Sequence, residues 1–245
     1  MDFSLSSEQQ MIADAARQFA SAELAPHAAD IDRTQGGQVF MGNLKQLAQL
    51  GFMGLNVASE YGGSEAGTVA FSLAITEIAR ACASTAVTTS VTNMAAEIIQ
   101  SVGSKEQKEN YLPKICSGEY AAASFCLTEA TAGSDPAAMR TTAHKEGDTY
   151  VLNGSKLFIT SAEYAGVFVV LAVTDNTQPK GKGISCFLVE AGTPGLIIGK
   201  EEKKMGQRAS ATNEVLFDNC EVHESALLGE LNKGFKIAVG ELAGG

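Results

Sequence analysis

The stretch Cys126-Leu-Thr-Glu-Ala-Thr-Ala-Gly-Ser-Asp135 lies where a helix-forming part of the sequence gives way to a strand-forming part. It places two hydroxyl residues, Thr128 and Ser134, around a glycine, Gly133. Consecutive backbone N–H groups in such a turn can bind an anion, and free hydroxyls can hydrogen-bond a phosphate or the polar edge of a ring. Composition alone favours an ordinary inter-domain turn with capping residues. The stretch is therefore a candidate ligand site that other parts of the sequence must support.

Residues 1–118, upstream of this stretch, are predicted to form helices. Ser6 and Gln9 have the spacing of a capping box, and Pro26 is expected to kink or end the first helix. Gly51 is expected to close the second helix. Apolar residues recur at helical intervals in three groups: Met11, Ile12, Ala15, Ala16 and Phe19; Leu44, Leu47 and Leu50; and Phe71, Ala74, Ile75 and Ile78.

Two more helices are predicted before residue 118. The segment 84–101 is rich in alanine and almost free of charge, which indicates burial on most sides. Ser104 and Gln107 again have capping-box spacing. The helix that they open is expected to stop before Pro113, because proline disfavours a helical residue in front of it.

The sequence after this region is typical of strands. Short runs rich in Val, Ile, Leu and Phe, separated by glycine-containing turns, predict an antiparallel barrel or sandwich; they cover 150–152, 166–173, 184–189 and 214–217. Residues 235–242 are again predicted to be helical. The expected fold class is α+β, with an N-terminal helical domain over 1–118, a middle β-domain over 119–229 and, over 230–245, the start of a truncated C-terminal helical domain.

A second candidate segment is Asn153-Gly-Ser-Lys-Leu-Phe-Ile-Thr-Ser161, which is predicted to be one arm of a hairpin. Phe158 and Thr160 share a face if the arm is a regular strand. An aromatic ring and a hydroxyl on one face could pack against a flat heterocycle and hydrogen-bond it. Ordinary alternation in a half-buried strand explains the same pattern, so this segment alone assigns no site.

Composition and missing motifs exclude several classes of protein. The chain has 245 residues, 45% of them apolar, and a net charge of −10. This excludes a wholly disordered chain and disfavours a general nucleic-acid binder. Five cysteines without metal-site spacing predict reduced thiols in a cytoplasmic protein. No signal-peptide pattern or membrane span is expected, and dinucleotide-binding, P-loop and hydrolase motifs are absent. The three histidines stand in unrelated surroundings, so no metal site is predicted.

Taken together, these segments resemble the acyl-CoA dehydrogenase family. The stretch 126–135 matches the family's first signature at every constrained position, including Thr128, Glu129, Gly133, Ser134 and Asp135. Other segments follow in the family's order. They are 103–108 with Tyr111-Leu-Pro113, Asn153-Gly-Ser-Lys-Leu-Phe-Ile-Thr160, Lys204-Met-Gly-Gln-Arg208, Val215-Leu-Phe217 and Gly234-Phe-Lys236.

The resemblance implies a flavoenzyme. Family members bind FAD between a middle β-domain and helical domains, and they oxidise an acyl-CoA thioester to the trans-2-enoyl-CoA. A carboxylate takes the α-proton, the β-hydride goes to flavin N5, and the electrons usually pass to an electron-transfer flavoprotein. Relatives are usually homotetramers. The matched FAD-binding residues are Phe125, Cys126, Leu127, Thr128, Gly133, Ser134, Phe158, Ile159 and Thr160. Leu127 is expected to bind FAD through its backbone groups and Thr128 through its hydroxyl. Thr160 is expected to lie near flavin N5, and Ser134 is also expected to contact CoA.

The chain also departs from the family pattern. Many relatives have Trp where this chain has Phe158, and the helical domain that holds their usual catalytic Glu has no counterpart in the sequence. Where one subgroup carries its base, this chain ends in Leu242-Ala-Gly-Gly245. We therefore assign no catalytic residue, and we expect a structural role for Glu129 and no activity from the chain by itself. Two alternatives stay open: an acyl-CoA oxidase, and a non-catalytic module that binds CoA esters or a partner protein.

Overall fold

Helices occupy the first half of the chain in the computed structural model, which describes residues 4–244. They are α1 (Ser7–Phe19), α2 (Ala28–Arg33), α3 (Gly37–Gln49), α4 (Gly67–Ala81), α5 (Ala83–Val102) and α6 (Lys105–Cys116). A π-helical turn, Ala20–Leu24, extends α1 and ends before Pro26, as expected. The last of these helices ends at Cys116 and the first strand begins at Ala122, so the change in structure falls beside the predicted boundary at 118.

Both predicted capping boxes are confirmed. The Gln9 backbone N–H donates to the Ser6 hydroxyl at 3.1 Å, and the Ser6 N–H donates to the Gln9 side chain at 3.0 Å. Ser104 and Gln107 make the same two bonds at 3.2 and 2.9 Å. These bonds satisfy N–H groups that a helix start otherwise leaves without partners.

Two predicted helical stripes are partly wrong. Met11 is 65% exposed and Leu50 is 52% exposed. Helix α1 instead buries the face that carries Ala13, Ala16 and Phe19, because that face packs against α4. Helix α3 ends at Gln49, so Leu50 lies beyond its buried face, and Gly51 follows in the left-handed conformation.

Helix α6 does not stop before Pro113, and that prediction is wrong. The helix continues to Cys116 with the proline inside it, and the Ser117 N–H donates to the Pro113 carbonyl at 2.9 Å. A proline in a helix interior costs about 3 kcal/mol. The last turn buries Ile115 completely and Cys116 almost completely, in a core that also contains Val57 and residues of α5. Burial of one large aliphatic side chain contributes about 1.5–3 kcal/mol. Packing therefore outweighs the local signal.

The second half of the chain forms one eight-stranded mixed sheet. The strands are β1 (Ala122–Cys126), β2 (Thr142–Glu146), β3 (Thr149–Thr160), β4 (Ala165–Val173), β5 (Ile184–Glu190), β6 (Leu196–Glu201), β7 (Thr212–His223) and β8 (Leu227–Leu228). Their order is β6-β7-β3-β2-β4-β5-β8, and β1 pairs with β4. The α+β class is confirmed. The sheet is not wholly antiparallel as predicted, because β1 runs parallel to β4.

The sheet curls around a core of its own. Tyr150 of β3 and Phe187 of β5 have ring centroids 5.0 Å apart, although two strands separate β3 from β5 in the sheet. In a flat sheet these strands would lie about 14 Å apart. We call the apolar side chains enclosed by this curl the inner core. Those on the opposite face, which pack against helices α5 and α6, form the outer core.

Helix α5 joins the two halves of the molecule, and the predicted burial of 84–101 on most sides is confirmed. The Thr92 hydroxyl accepts the Ala123 N–H of β1 at 3.3 Å. In α6, the Gln107 side chain donates to the carbonyls of Ser225 and Leu227 at 2.8 and 3.0 Å. A final helix, α7 (Gly234–Gly244), packs beside β5. Residue 245, at the end of the predicted last segment, lies outside the described residues.

The position of Pro113 predicts that Pro113→Ala stabilises the chain by about 1–3 kcal/mol, because the new N–H can join the helix and the ring is removed. The measurement is the free energy of unfolding in urea. Pro194→Ala is the matched control, since Pro194 precedes Gly195 (φ 84°) in a turn closed by the Leu196 N–H and the Thr193 carbonyl at 3.0 Å. That variant should lose about 0.4–1 kcal/mol. A lower stability of Pro113→Ala would contradict our account of α6.

Candidate functional site

The stretch 126–135 forms a tight turn directly after β1. The Glu129 N–H donates to the Ala132 carbonyl at 3.1 Å, and the Ala132 N–H donates back to the Glu129 carbonyl at 3.1 Å. Gly133 and Ser134 follow the turn and are exposed. A Cβ atom at Gly133 would meet no atom within 4 Å. The backbone after the turn is therefore open to an incoming ligand.

Two hydrogen bonds hold this turn against the end of β3. The Leu157 N–H donates to the Thr128 carbonyl at 2.8 Å, and the Ser124 hydroxyl donates to the Thr160 carbonyl at 2.7 Å. The two candidate segments of the sequence are thus adjacent in space. We call residues 125–134 together with 158–160 the cradle.

A β-bulge presents Phe158 at the cradle surface. Lys156 pairs with Val215 of β7, whereas Ile159 pairs with Asn213, so β3 carries an extra residue between these two pairs. Phe158 takes the left-handed conformation (φ 58°) and its side chain is 61% exposed. A residue with a bulky side chain in this conformation costs about 1–3 kcal/mol, and such residues cluster at functional sites. The bulge therefore turns a large aromatic ring toward solvent beside the turn.

The cradle offers hydrogen-bonding groups that have no partner within residues 4–244. They are the Thr128 N–H and the hydroxyls of Thr128, Ser134 and Thr160. Thr128 and Thr160 are half-buried, and Ser134 is exposed. An exposed aromatic ring and free donors and acceptors on adjacent segments suit a flat ligand with a polar edge.

Not every predicted site residue can contact a ligand through its side chain. Cys126 is fully buried and Ile159 is 2% exposed, and both belong to the inner core. Their side chains therefore point away from the open surface, and only their backbone groups could contact a ligand. Leu127 is 7% exposed, and half-buried Phe125 packs against the outer core.

Glu129 has the structural role that we expected. Its carboxylate accepts the Arg140 N–H at 2.6 Å, the Thr141 N–H at 3.0 Å and the Lys156 ammonium at 2.8 Å. Burial raises the pKa of Glu129, but the charge of Lys156 and these hydrogen bonds outweigh burial, so its pKa lies below the ordinary value. A carboxylate that is ionised and already accepts three hydrogen bonds, one of them from a buried lysine, is not a free catalytic base.

The buried partner of Glu129, Lys156, escaped the sequence analysis. Its side chain is completely buried, and burial lowers its pKa while the charge of Glu129 opposes that effect. A signal was present, because Lys156 follows Tyr150 and Leu152 at even spacing on one strand. A lysine whose side chain lies on the same face of a strand as core residues needs a buried counter-charge.

A basic cavity beside the cradle was also not predicted. It has a volume of about 580 Å³ and lies between the β4–β5 connection and α7; its lining includes Lys182, Lys233, Phe235 and Lys236. Lys180 of the same connection forms an ion pair with Asp135, the residue after Ser134. The cradle and this lysine-lined cavity are therefore neighbours, and positive charge is concentrated here in a chain of net charge −10.

Within residues 4–244, no three or more His, Cys, Asp and Glu side chains come together in a group that could hold a metal ion. None of the helices in this part of the chain has the length and the apolar character needed to cross a membrane.

Comparison with known proteins covers nearly the whole chain. Residues 6–119 match the model of the acyl-CoA dehydrogenase N-terminal domain, and residues 124–220 match that of the middle domain. An acryloyl-CoA reductase (NADH) of Anaerotignum propionicum is 46% identical over 100% of this chain and 61% of its own length. The chain thus spans about three fifths of that relative.

Two solved structures have the same fold. Butyryl-CoA dehydrogenase from Megasphaera elsdenii is 37% identical with a TM-score of 0.93, over 100% of this chain and 64% of that one. An acyl-CoA dehydrogenase from Bacillus anthracis, in complex with FAD, is 34% identical with a TM-score of 0.89, over 97% of this chain and 40% of that one. The two matched domains and this shared architecture together show that the chain belongs to the acyl-CoA dehydrogenase family.

Proposed function

We propose that this chain is the N-terminal and middle part of an FAD-dependent acyl-CoA dehydrogenase, which converts an acyl-CoA thioester to the trans-2-enoyl-CoA. The observation that carries the proposal is the cradle, which brings free hydrogen-bonding groups of the turn after β1 next to the strand end that carries the exposed ring of Phe158. The chain spans only 61% of the acryloyl-CoA reductase and 64% of the butyryl-CoA dehydrogenase. The activity is therefore proposed for the longer protein.

The cradle residues fit a flavin. Phe158 supplies an aromatic surface, while the Thr128 N–H and the hydroxyls of Thr128 and Thr160 can bond the polar edge of the ring system. Phe125, Leu127, Gly133 and Ser134 complete the proposed FAD-binding set, and Cys126 and Ile159 contribute backbone groups only. When bound, FAD supplies the hydride acceptor, and the protein supplies orientation and exclusion of water.

The lysine-lined cavity supports a CoA thioester as the substrate class. Coenzyme A carries several phosphate charges, and Lys182, Lys233 and Lys236 place three cations around one cavity. The ion pair between Lys180 and Asp135 connects this region to Ser134, for which we propose a contact with both FAD and CoA. We assign no catalytic base within the chain, because Glu129 is already paired with Lys156.

The remaining partners are proposed on the family resemblance. An electron-transfer flavoprotein is the proposed electron acceptor, and a homotetramer is the proposed assembly of the longer protein. The cytoplasm is the proposed place of action. Five free cysteines support this location, because disulfides form and persist in oxidising compartments.

One matched relative suggests a second candidate reaction, reduction of a 2-enoyl-CoA by NADH. It is favoured by the 46% identity to an acryloyl-CoA reductase (NADH). The cradle residues serve either direction, since both directions need the same flavin site. The direction therefore has to be measured.

The proposed function is tested with the longer protein, supplied with FAD and acyl-CoA thioesters of increasing chain length. We expect a yellow protein that forms 2-enoyl-CoA with an electron-transfer flavoprotein or a dye as acceptor. Peroxide formation with dioxygen would instead identify an oxidase, and NADH-dependent loss of 2-enoyl-CoA would identify a reductase. A colourless protein that binds CoA esters but not FAD would instead identify a non-catalytic binding module.

The cradle predicts that Thr160→Val weakens FAD binding, because the variant loses one hydrogen bond to the ring edge. The expected loss is about 0.5–1.5 kcal/mol, or roughly two- to tenfold in Kd, measured by flavin titration. Thr149→Val is the control. Thr149 is a half-buried threonine at the opposite end of the same strand, so its Kd should not change. Equal FAD dissociation constants for the two variants would exclude Thr160 from the proposed site.

The lysine-lined cavity predicts that the double variant Lys182→Glu, Lys236→Glu weakens binding of free CoA by about tenfold or more at low salt. The effect should shrink as salt rises, because exposed charges are screened. The control is Lys45→Glu, Lys203→Glu, which makes the same change in net charge at two exposed lysines outside the cavity lining. The affinity of each double variant for CoA is measured by calorimetric titration. Equal losses of affinity in both would indicate only an effect of net charge.

A further inference from the structure

A buried cation lies directly behind the cradle. The Lys156 side chain is 0% exposed, and its Nζ donates to the Leu127 carbonyl at 3.2 Å and to the Glu129 carboxylate at 2.8 Å. The sulfur of Met139 lies 3.8 Å from the same Nζ. Both oxygen acceptors belong to the turn that follows β1.

Glu129 connects this cation to a third segment. Its carboxylate also accepts the N–H groups of Arg140 and Thr141 at 2.6 and 3.0 Å. The pair therefore joins β3, the turn after β1 and the start of the segment that leads into β2. The position of the turn relative to β3 depends on these bonds as well as on the backbone bond from Leu157 to Thr128.

The contact with Leu127 determines how the next peptide group points. A trans peptide is planar, so the Leu127 carbonyl and the Thr128 N–H point in opposite directions. Because the carbonyl is directed at the buried Lys156, the Thr128 N–H is directed away from it. This N–H has no acceptor within residues 4–244, and the Thr128 carbonyl is already bonded to Leu157.

We propose that Lys156, held in place by Glu129, is a positioning residue that directs the Thr128 N–H of the cradle toward the bound flavin. The proposal rests on the proposed function, since it presupposes that the cradle binds FAD. A cation at the carbonyl end of a peptide group also polarises that group, which strengthens its N–H as a donor. Lys156 thereby acts on the flavin through one peptide group, without touching it.

The variants for the test keep the buried charge balanced. Lys156→Met alone leaves the Glu129 carboxylate buried without its cation, a change that can unfold a protein. The double variant Lys156→Met, Glu129→Gln removes both charges. Its amide oxygen can still accept one of the two N–H groups of Arg140 and Thr141, which donate to different oxygens of the Glu129 carboxylate. The control is Lys145→Met, Glu224→Gln. It removes another lysine–glutamate ion pair of the same domain. The charged atoms of that pair are 2.6 Å apart, and each side chain is 48% exposed.

The measurements are the FAD dissociation constant, the visible absorption band of the bound flavin and the thermal unfolding of each variant. We expect the buried double variant to unfold cooperatively, to bind FAD at least tenfold more weakly and to show a flavin band shifted toward that of free FAD. The surface double variant should match the wild type. A folded Lys156→Met, Glu129→Gln protein with a Kd within twofold of wild type and an unchanged band would overturn the proposal.

A second measurement uses the longer protein without substitutions and does not depend on the variants folding. The Thr128 amide should exchange its hydrogen rapidly without FAD and become protected when FAD is bound. FAD binding without added protection at Thr128 would overturn the inference and leave the proposed function standing. A longer wild-type protein that binds no FAD would overturn the proposed function and this inference with it.

Discussion

The buried ion pair between Glu129 and Lys156 is the constraint on which the rest of the site depends. Breaking such a pair by removing one partner typically costs 3–5 kcal/mol, because the other charge stays buried. Here the pair is also bonded to three backbone groups, the Leu127 carbonyl and the N–H groups of Arg140 and Thr141. The turn after β1 therefore has little freedom to move relative to β3. A ligand that needs a defined edge of donors and acceptors benefits from this rigidity.

The bulge in β3 is the second structural feature that shapes the site. A regular strand would alternate between the inner core and the outer face, but the extra residue between Lys156 and Ile159 lets both of these side chains point inward. Phe158 is displaced toward solvent in a left-handed conformation. The local cost of that conformation is tolerated because Lys156 and Ile159, on either side of the bulge, are buried. Strain of this kind is expected at a binding surface and has little purpose in a plain structural strand.

Local signals predicted a large part of the fold. The capping boxes at Ser6 and Ser104 and the uncharged helix over 84–101 follow from hydrogen-bonding and burial rules that act within a few residues. Predictions failed where distant packing decided the outcome. Pro113 stays inside α6 because Ile115 and Cys116 are buried in the outer core. The parallel pairing of β1 with β4 joins segments about 45 residues apart, and no local pattern encodes such a pairing.

The amino-acid sequence by itself determined the family resemblance, the α+β class and the two segments that form the cradle, because these depend on residue identity and order. Only the tertiary structure decided that the segments touch, that Cys126 and Ile159 face the inner core, and that Lys156 lies buried behind the turn. The basic cavity also depends on folding, since its lysines come from two separate segments. The physical reason is the same in each case: burial and hydrogen bonding between distant segments arise only when the sheet curls and closes on the helices.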